Sequence, residues 1–174
     1  MRRIRVLRIG KRYVRDERTL THLCLVARAF GSERIYLEDA EDSVIKSVEE
    51  VNTKWGGNFK VYVGERWRDV IKKHSEEFWC IVHLTMYGIP LSQEIEELRK
   101  KENILVVVGG PKVPSEMYEL ADYNISVTSQ PHSEIAALAI FMHEIQEGRE
   151  LTAQFPNSKI RIIPLRKGKM VIGL

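Results

Sequence analysis

Three stretches in the C-terminal half of this 174-residue chain concentrate the residue types that hold ligands: Thr85–Pro90, Gly109–Pro114 and Thr128–His132. Each is dense in glycine, proline or small polar residues, and each directly follows an apolar run, FWCIVHL, ILVVV and YNISV respectively. The paired Gly109 and Gly110 allow backbone to approach a ligand closely and tolerate positive φ. Neither GxxxxGK[ST] nor GxGxxG is present, so phosphate cradling is unsupported and the backbone groups suit a neutral or purine-like ligand better. Taken alone, this loop is read equally well as a tight turn into the next helix.

The third stretch continues as Ser129-Gln130-Pro131-His132-Ser133-Glu134 into a long segment of helical period. Ser133 or His132 can cap that helix, and Glu134 suits its positive N-terminal end. Serine hydrolysis would need His132 beside Ser129 or Ser133. The sequence lacks both a GxSxG elbow and an Asp placed to orient the imidazole, so that chemistry is not indicated.

The other reactive side chains have blander readings. His83 lies inside FWCIVHL and reads as a core or strand-end histidine, whereas His22, near the basic N-terminus, is more open to function. Cys24 and Cys80 sit in separate apolar segments with no CxxC and no paired His spacing, so metal is not expected and both read as buried thiols of a reducing cytoplasm. Trp55, Trp67 and Trp79 lack the spacing of a stacking ladder and read as core anchors. The net charge of +3 is too small to announce a nucleic-acid partner, but its distribution is uneven. Arg2, Arg3, Arg5, Arg8, Lys11, Arg12, Arg15 and Arg18 crowd one end, and Lys159, Arg161, Arg166, Lys167 and Lys169 the other. Such ends suit either a locally bound anionic partner or solvated strand edges.

Positioning these loops requires an alternation of strands and helices, and the hydrophobic pattern supplies it. Strands are expected at Ile4–Ile9, Arg34–Leu37, Phe59–Val63, Phe78–Leu84, Ile104–Val108 and Tyr123–Val127. Helices are expected at Leu20–Ala29, Asp42–Thr53, Trp67–His74, Ser92–Lys100, Ser115–Leu120 and Ser133–Glu147. Continuous apolar strands imply parallel neighbours covered on both faces, an open α/β sheet with helices on either side. Ligands of such sheets bind beyond the carboxyl ends of the strands, which is where the three loops fall. The chain reads as one domain over 1–174 with a short β-rich extension at about 158–174, paired around Lys167-Gly168. No apolar run approaches the roughly 18–20 residues of a membrane span, and the basic N-terminus lacks the apolar core of a secretion signal. A cytoplasmic protein is expected.

The strings RDERTLTHLCLVARAFG (Arg15–Gly31), HLTMYG (His83–Gly88), VVVGGPKVP (Val106–Pro114) and YNISVTSQPHSEIAALAIF (Tyr123–Phe141) together resemble the SPOUT methyltransferases. The resemblance is greatest to the archaeal tRNA cytidine-56 2′-O-methyltransferase family, and it runs through nearly the whole chain in order. It implies a C-terminal trefoil knot, which general connection rules would not have suggested. It further implies S-adenosylmethionine as cofactor, tRNA as substrate and a homodimer. Leu84, Thr85, Gly109, Gly110, Pro111, Lys112, Val113, Val127, Thr128, Ser129, Gln130, Pro131, His132, Ser133 and Glu134 would line the cofactor pocket, largely through backbone groups. Related 2′-O-methyltransferases carry an Asn and an Arg on the first helix; with Ala29–Gly31 fixing the register, Thr19 and Leu25 stand there instead. Arg18 is then the candidate for orienting the ribose hydroxyl and His22 the chemically easier base, with Arg12 and Arg15 as RNA contacts. The rival expectations are a methyltransferase of the same superfamily acting on another RNA nucleotide, at a base or an rRNA ribose, and a non-catalytic RNA-binding module that keeps the fold.

Overall fold

The structure, a computed structural model, describes residues 2–10, 17–110 and 112–174. Six strands form one parallel sheet: β1 (Arg3–Ile9), β2 (Arg34–Leu37), β3 (Lys60–Val63), β4 (Cys80–Pro90), β5 (Asn103–Gly109) and β6 (Tyr123–Ser126), in the order β3-β2-β1-β5-β4-β6. β1 and β5 pair along their whole length, from Arg3 opposite Asn103 to Ile9 opposite Gly109.

Period-two alternation assigns each strand residue to one face. Ile4, Val6, Ile35, Val82, Leu84, Ile104, Val106 and Ile125 pack against α1 (Glu17–Ala29), α2 (Asp42–Trp55), α4 (Leu91–Leu98) and α6 (Glu134–Gln146). Leu7, Ile9, Tyr36, Ile81, Leu105 and Val107 pack against α3 (Trp67–Glu76) and against Met117 of α5 (Ser115–Leu120). Both faces are covered, which is why the central strands read as unbroken apolar runs. Helix α1 ends at a glycine stop: Gly31 adopts φ +86, its N–H donates to the Arg28 carbonyl, and the Ser32 N–H reaches back to Ala27.

The remaining chain forms a two-stranded antiparallel sheet of β7 (Ile160–Ile163) and β8 (Met170–Gly173), in register from Ile160 opposite Gly173 to Ile163 opposite Met170. A 3-10 turn at Arg149–Thr152, which the hydrophobic pattern does not announce, precedes it.

Two strand boundaries differ from expectation. Phe78 does not start β4: it sits in the left-handed region at φ 59, the residue is 92% exposed, and the strand begins two residues later. At its other end β4 continues to Pro90. The chain bulges after Leu84 and rejoins β6, so that Leu84 and Ile89 both face Ile125. Apolar content marks the buried half of this strand but not the half that leaves the core.

Candidate functional site

β5, β4 and β6 are neighbours in the sheet, so the loops leaving β5 and β6 and the bulge of β4, where a loop was expected at Thr85–Pro90, converge by topology alone. They enclose a cleft of about 690 Å³, inside the range of small-molecule sites, roughly 300–1,000 Å³. Of the candidates named from sequence, Leu84, Thr85, Gly109, Gly110, Lys112, Val113, Pro131, His132, Ser133 and Glu134 line it. Val127 is half-buried and Thr128, Ser129 and Gln130 are exposed outside it, while Pro111 lies outside the described residues.

The backbone here is shaped by close approach. At Gly109 the constraint is not a positive φ, the freedom the glycine pair first suggests. An added Cβ would overlap Cγ2 of Val113, with Cγ1 of Ile9 at 3.3 Å on another side. At Gly88 an added Cβ would run into the backbone of Asn124 and Ile125, so the bulge of β4 is pressed against β6. Ser133 is the N-cap of α6, its Oγ accepting from the Ile135 N–H at 3.2 Å. His132 instead donates from Nδ1 to the Gln130 carbonyl at 2.6 Å, and among the described residues no hydrogen bond joins it to Ser129 or Ser133.

A polar network joins the loops from the α5 side. Asn124 donates from Nδ2 to the Tyr118 carbonyl at 2.8 Å, which leaves its Oδ1 to accept from Nδ1–H of His83 at 2.9 Å. The tautomer of His83 follows from this: Nε2 carries a lone pair, and that atom is buried with no hydrogen-bond partner. Burial lowers the His83 pKa, against the opposing pull of Asn124, so the ring is neutral. The Tyr118 hydroxyl and Thr85 Oγ1 lie 3.2 Å apart, and the Tyr118 ring meets His83 edge-on at 4.8 Å.

From the opposite face of the sheet, Arg8 of β1 reaches Glu134 at the start of α6. Their side chains are 5% and 7% exposed and 3.6 Å apart, and Arg8 also donates to the Gly10 carbonyl. This ion pair brings a buried carboxylate to the cleft with its charge balanced, since an unpaired charge there would cost several kcal/mol.

Thr19 of α1 also lines the cleft, whereas Arg18 and His22 are exposed and are not among its lining residues. Arg18 and His22 are four residues apart and share one helix stripe. In the sequence Thr19 stands out only as the residue at the Asn position of related enzymes. Met86, Tyr87, Val108, Tyr118, Ile135 and Ala137, with His83, complete the lining without having been named as site residues. The signal for Met86 and Tyr87 was their place in HLTMYG. None marked Tyr118, which arrives from a separate helix.

The N-terminal charge distribution needs revision. Arg2 donates to the carbonyls of Lys101, Ile145 and Arg99, and Arg3 pairs with Glu33 at 2.6 Å. Arg5 pairs with Glu33 at 3.2 Å, lies 4.0 Å from the Trp79 ring and donates to Nε2 of His74 at 3.1 Å. Burial lowers the His74 pKa and keeps it neutral for this role. These arginines, with Arg8, hold the fold rather than face an anionic partner. Arg12 and Arg15 lie outside the described residues. Lys159, Arg161, Arg166, Lys167 and Lys169, by contrast, are all exposed, and none has an ion pair among the described residues.

Other chemistries find little footing. Burial pushes the Cys24 thiol up to about 12, and burial with the nearby Asp122 carboxylate pushes Cys80 up to about 11, so neither is an activated nucleophile. Among the described residues no three His, Cys, Asp or Glu side chains gather as metal ligands, and no helix is long and apolar enough to cross a membrane.

Comparison with known proteins agrees with this geometry. Residues 55–172 match the family tRNA ribose 2′-O-methyltransferase, aTrm56. The tRNA (cytidine(56)-2′-O)-methyltransferase of Nitrosopumilus maritimus is 50% identical over 97% of this chain and 95% of its own length. Among solved structures, an RNA 2′-O ribose methyltransferase superposes with a TM-score of 0.64 at 15% identity, over 84% of this chain and 57% of that one. The SpoU methyltransferase AviRb from Streptomyces viridochromogenes, solved in complex with AdoMet, superposes with a TM-score of 0.58 at 11% identity, over 88% of this chain and 59% of that one.

Proposed function

Since this chain belongs to the family of tRNA ribose 2′-O-methyltransferases, we propose that it methylates the ribose 2′-hydroxyl of the T-loop cytidine at tRNA position 56, using S-adenosylmethionine, in the cytoplasm. The observation that carries this reading is the cleft formed where the bulge of β4 meets the loops after β5 and β6.

The cleft suits the cofactor on its own chemistry. Gly109 lets the loop close tightly on Val113 and Ile9, His83 offers a neutral ring with a buried unpaired acceptor, and the Arg8–Glu134 pair balances charge. Leu84, Gly109, Gly110 and Val113 would hold the cofactor through backbone and apolar contact, with Thr85 and the start of α6 at its polar end. When bound, S-adenosylmethionine supplies a methyl group already activated on a sulfonium centre. The protein's task is then to orient the ribose hydroxyl and accept its proton. A guanidinium is effectively always protonated, so Arg18 orients the hydroxyl or the adjacent phosphate and stabilises developing negative charge. His22, four residues on, is the group able to take the proton.

Three further features belong to the same proposal. The C-terminal half is threaded as the trefoil knot expected of SPOUT enzymes. The enzyme works as a homodimer in which the exposed Arg18 and His22 of one protomer meet the cleft of the other; their exposure on a shared helix stripe supports this. tRNA is held through Arg12 and Arg15 together with the exposed cations of the β7–β8 hairpin.

The test is incubation with methyl-labelled S-adenosylmethionine and an unmodified tRNA transcript, followed by digestion to nucleosides. Label in 2′-O-methylcytidine supports the proposal. Label in a base-methylated nucleoside makes the chain a different member of the superfamily, and tRNA binding without transfer makes it a binding module.

A further inference from the structure

Four aromatic side chains line the cleft, and three of them are engaged by the protein. His83 and Tyr118 pack edge to face, with the Tyr118 hydroxyl on Thr85, and His132 is tied through Nδ1 to the Gln130 carbonyl. The fourth, Tyr87, is 77% exposed, and among the described residues its hydroxyl has no hydrogen bond and its ring no aromatic partner.

The backbone that carries Tyr87 is nonetheless fixed. On one side Thr85 Oγ1 accepts the Tyr87 N–H at 3.4 Å while also meeting the Tyr118 hydroxyl. On the other, Gly88 is packed so closely on Asn124 that no side chain fits, and Ile89 and Pro90 re-enter the ladder with β6. The bulge in β4 therefore holds out a flat amphipathic ring at the cleft, on a short loop pinned at both ends. Such a presentation costs little further ordering when a planar partner arrives. The exposed Lys112 lines the same cleft and supplies a cation for a phosphate.

We propose that Tyr87 is a substrate-recognition residue on which the nucleobase of the methylated nucleotide stacks, presenting that nucleotide's ribose to the cleft. Single-stranded loops of RNA are read in this way, with splayed bases laid on aromatic side chains. The inference rests on the RNA methyltransferase reading and adds to it the contact that holds the target base. Stacking needs the ring and not the hydroxyl, so Phe and Trp should substitute for Tyr87 where Ala does not.

The experiment is a coupling measurement on the full-length enzyme. Wild type, Tyr87→Ala, Tyr87→Phe and Tyr87→Trp are assayed on a T-arm RNA and on the same RNA with the target base removed but its ribose 2′-hydroxyl kept. S-adenosylmethionine affinity is measured in parallel by calorimetry. On intact RNA, Tyr87→Ala should lose on the order of 10- to 100-fold in kcat/KM, with Phe and Trp restoring most of it and cofactor affinity unchanged. On the base-less RNA, wild type and Tyr87→Ala should become equal. Equal losses on both RNAs, a harmless Tyr87→Ala on intact RNA, or an equally impaired Tyr87→Phe would each overturn the assignment while leaving the enzymatic reading intact. A wild type that methylates neither RNA would overturn that reading, and this inference with it.

Discussion

Gly109 gives the most direct handle on the cleft, because the space its missing side chain leaves is already filled. A Cβ placed there would meet Cγ2 of Val113 more than roughly 1 Å inside the 3.5–4.0 Å optimum for carbon pairs, and Cγ1 of Ile9 at 3.3 Å bars the obvious escape. Val113 is β-branched, so its side chain has few alternative rotamers into which it can withdraw. Gly109→Ala must therefore displace the loop or strain β1 and β5, at the cost usual for overpacking, about 1–3 kcal/mol. Borne by the ligand-bound state, that is a loss of roughly 5- to 150-fold in S-adenosylmethionine affinity. Borne by the fold, it lowers Tm by about 2–4 °C per kcal/mol for a chain of this size. Calorimetry and thermal melts on one preparation separate the two. Trimming the obstacle in Gly109→Ala/Val113→Ala should recover much of the loss, since the overlap disappears with Cγ2. Unchanged affinity together with unchanged Tm in Gly109→Ala would refute the account of why glycine stands there.

Other consequences follow from the charges and rings. His74 and His83 are kept neutral by burial, so their contribution to stability is present above about pH 6.5, the unfolded value, and is lost as pH falls through their lower folded values. Melts between pH 8 and 5 should show Tm falling with acid and a shallower fall in His74→Gln; a Tm that rises on acidification contradicts the assignment. Replacing Arg161, Arg166, Lys167 and Lys169 with Ala should weaken tRNA binding, lower its salt dependence by somewhat less than one log unit of slope per lost phosphate contact, and leave cofactor affinity alone. Arg12→Ala/Arg15→Ala should do the same, and an unaltered salt slope in both variants removes the RNA surface proposed here. Arg18→Ala should lose on the order of 10²–10³ in single-turnover rate on saturating tRNA, the usual effect of removing a preorganised donor. A near-wild-type rate in that variant would exclude the orienting role.

Much of this architecture was legible because its physics is local. The apolar strands and their period-two faces, the Gly31 stop after α1 and the hairpin around Gly168 each depend on residues close in sequence. The convergence of the three loops also followed, since a parallel sheet places successive strand ends on one edge. What escaped depends on long-range contact. Phe78 looks like a strand residue, and only the turn that places it at φ 59 takes it out of the core. Arg2, Arg3, Arg5 and Arg8 look like a nucleic-acid patch until Glu33, His74, Trp79 and Glu134 arrive from other elements to engage three of them, and the carbonyls of Arg99, Lys101 and Ile145 the fourth. Tyr118 reaches the site from α5 with no motif to announce it, and nothing local to Thr19 signals that it lines the cleft.

The central claim is transfer to a ribose oxygen of one nucleotide, and a single atom in the substrate tests it. A tRNA assembled with 2′-deoxycytidine at position 56 retains the base, the T-loop sequence and every phosphate, and lacks only the proposed acceptor. With labelled S-adenosylmethionine, the all-ribose tRNA should take up one methyl group per molecule and the deoxy-substituted tRNA none, while the two bind with equal affinity. Equal methyl incorporation into both would contradict the account.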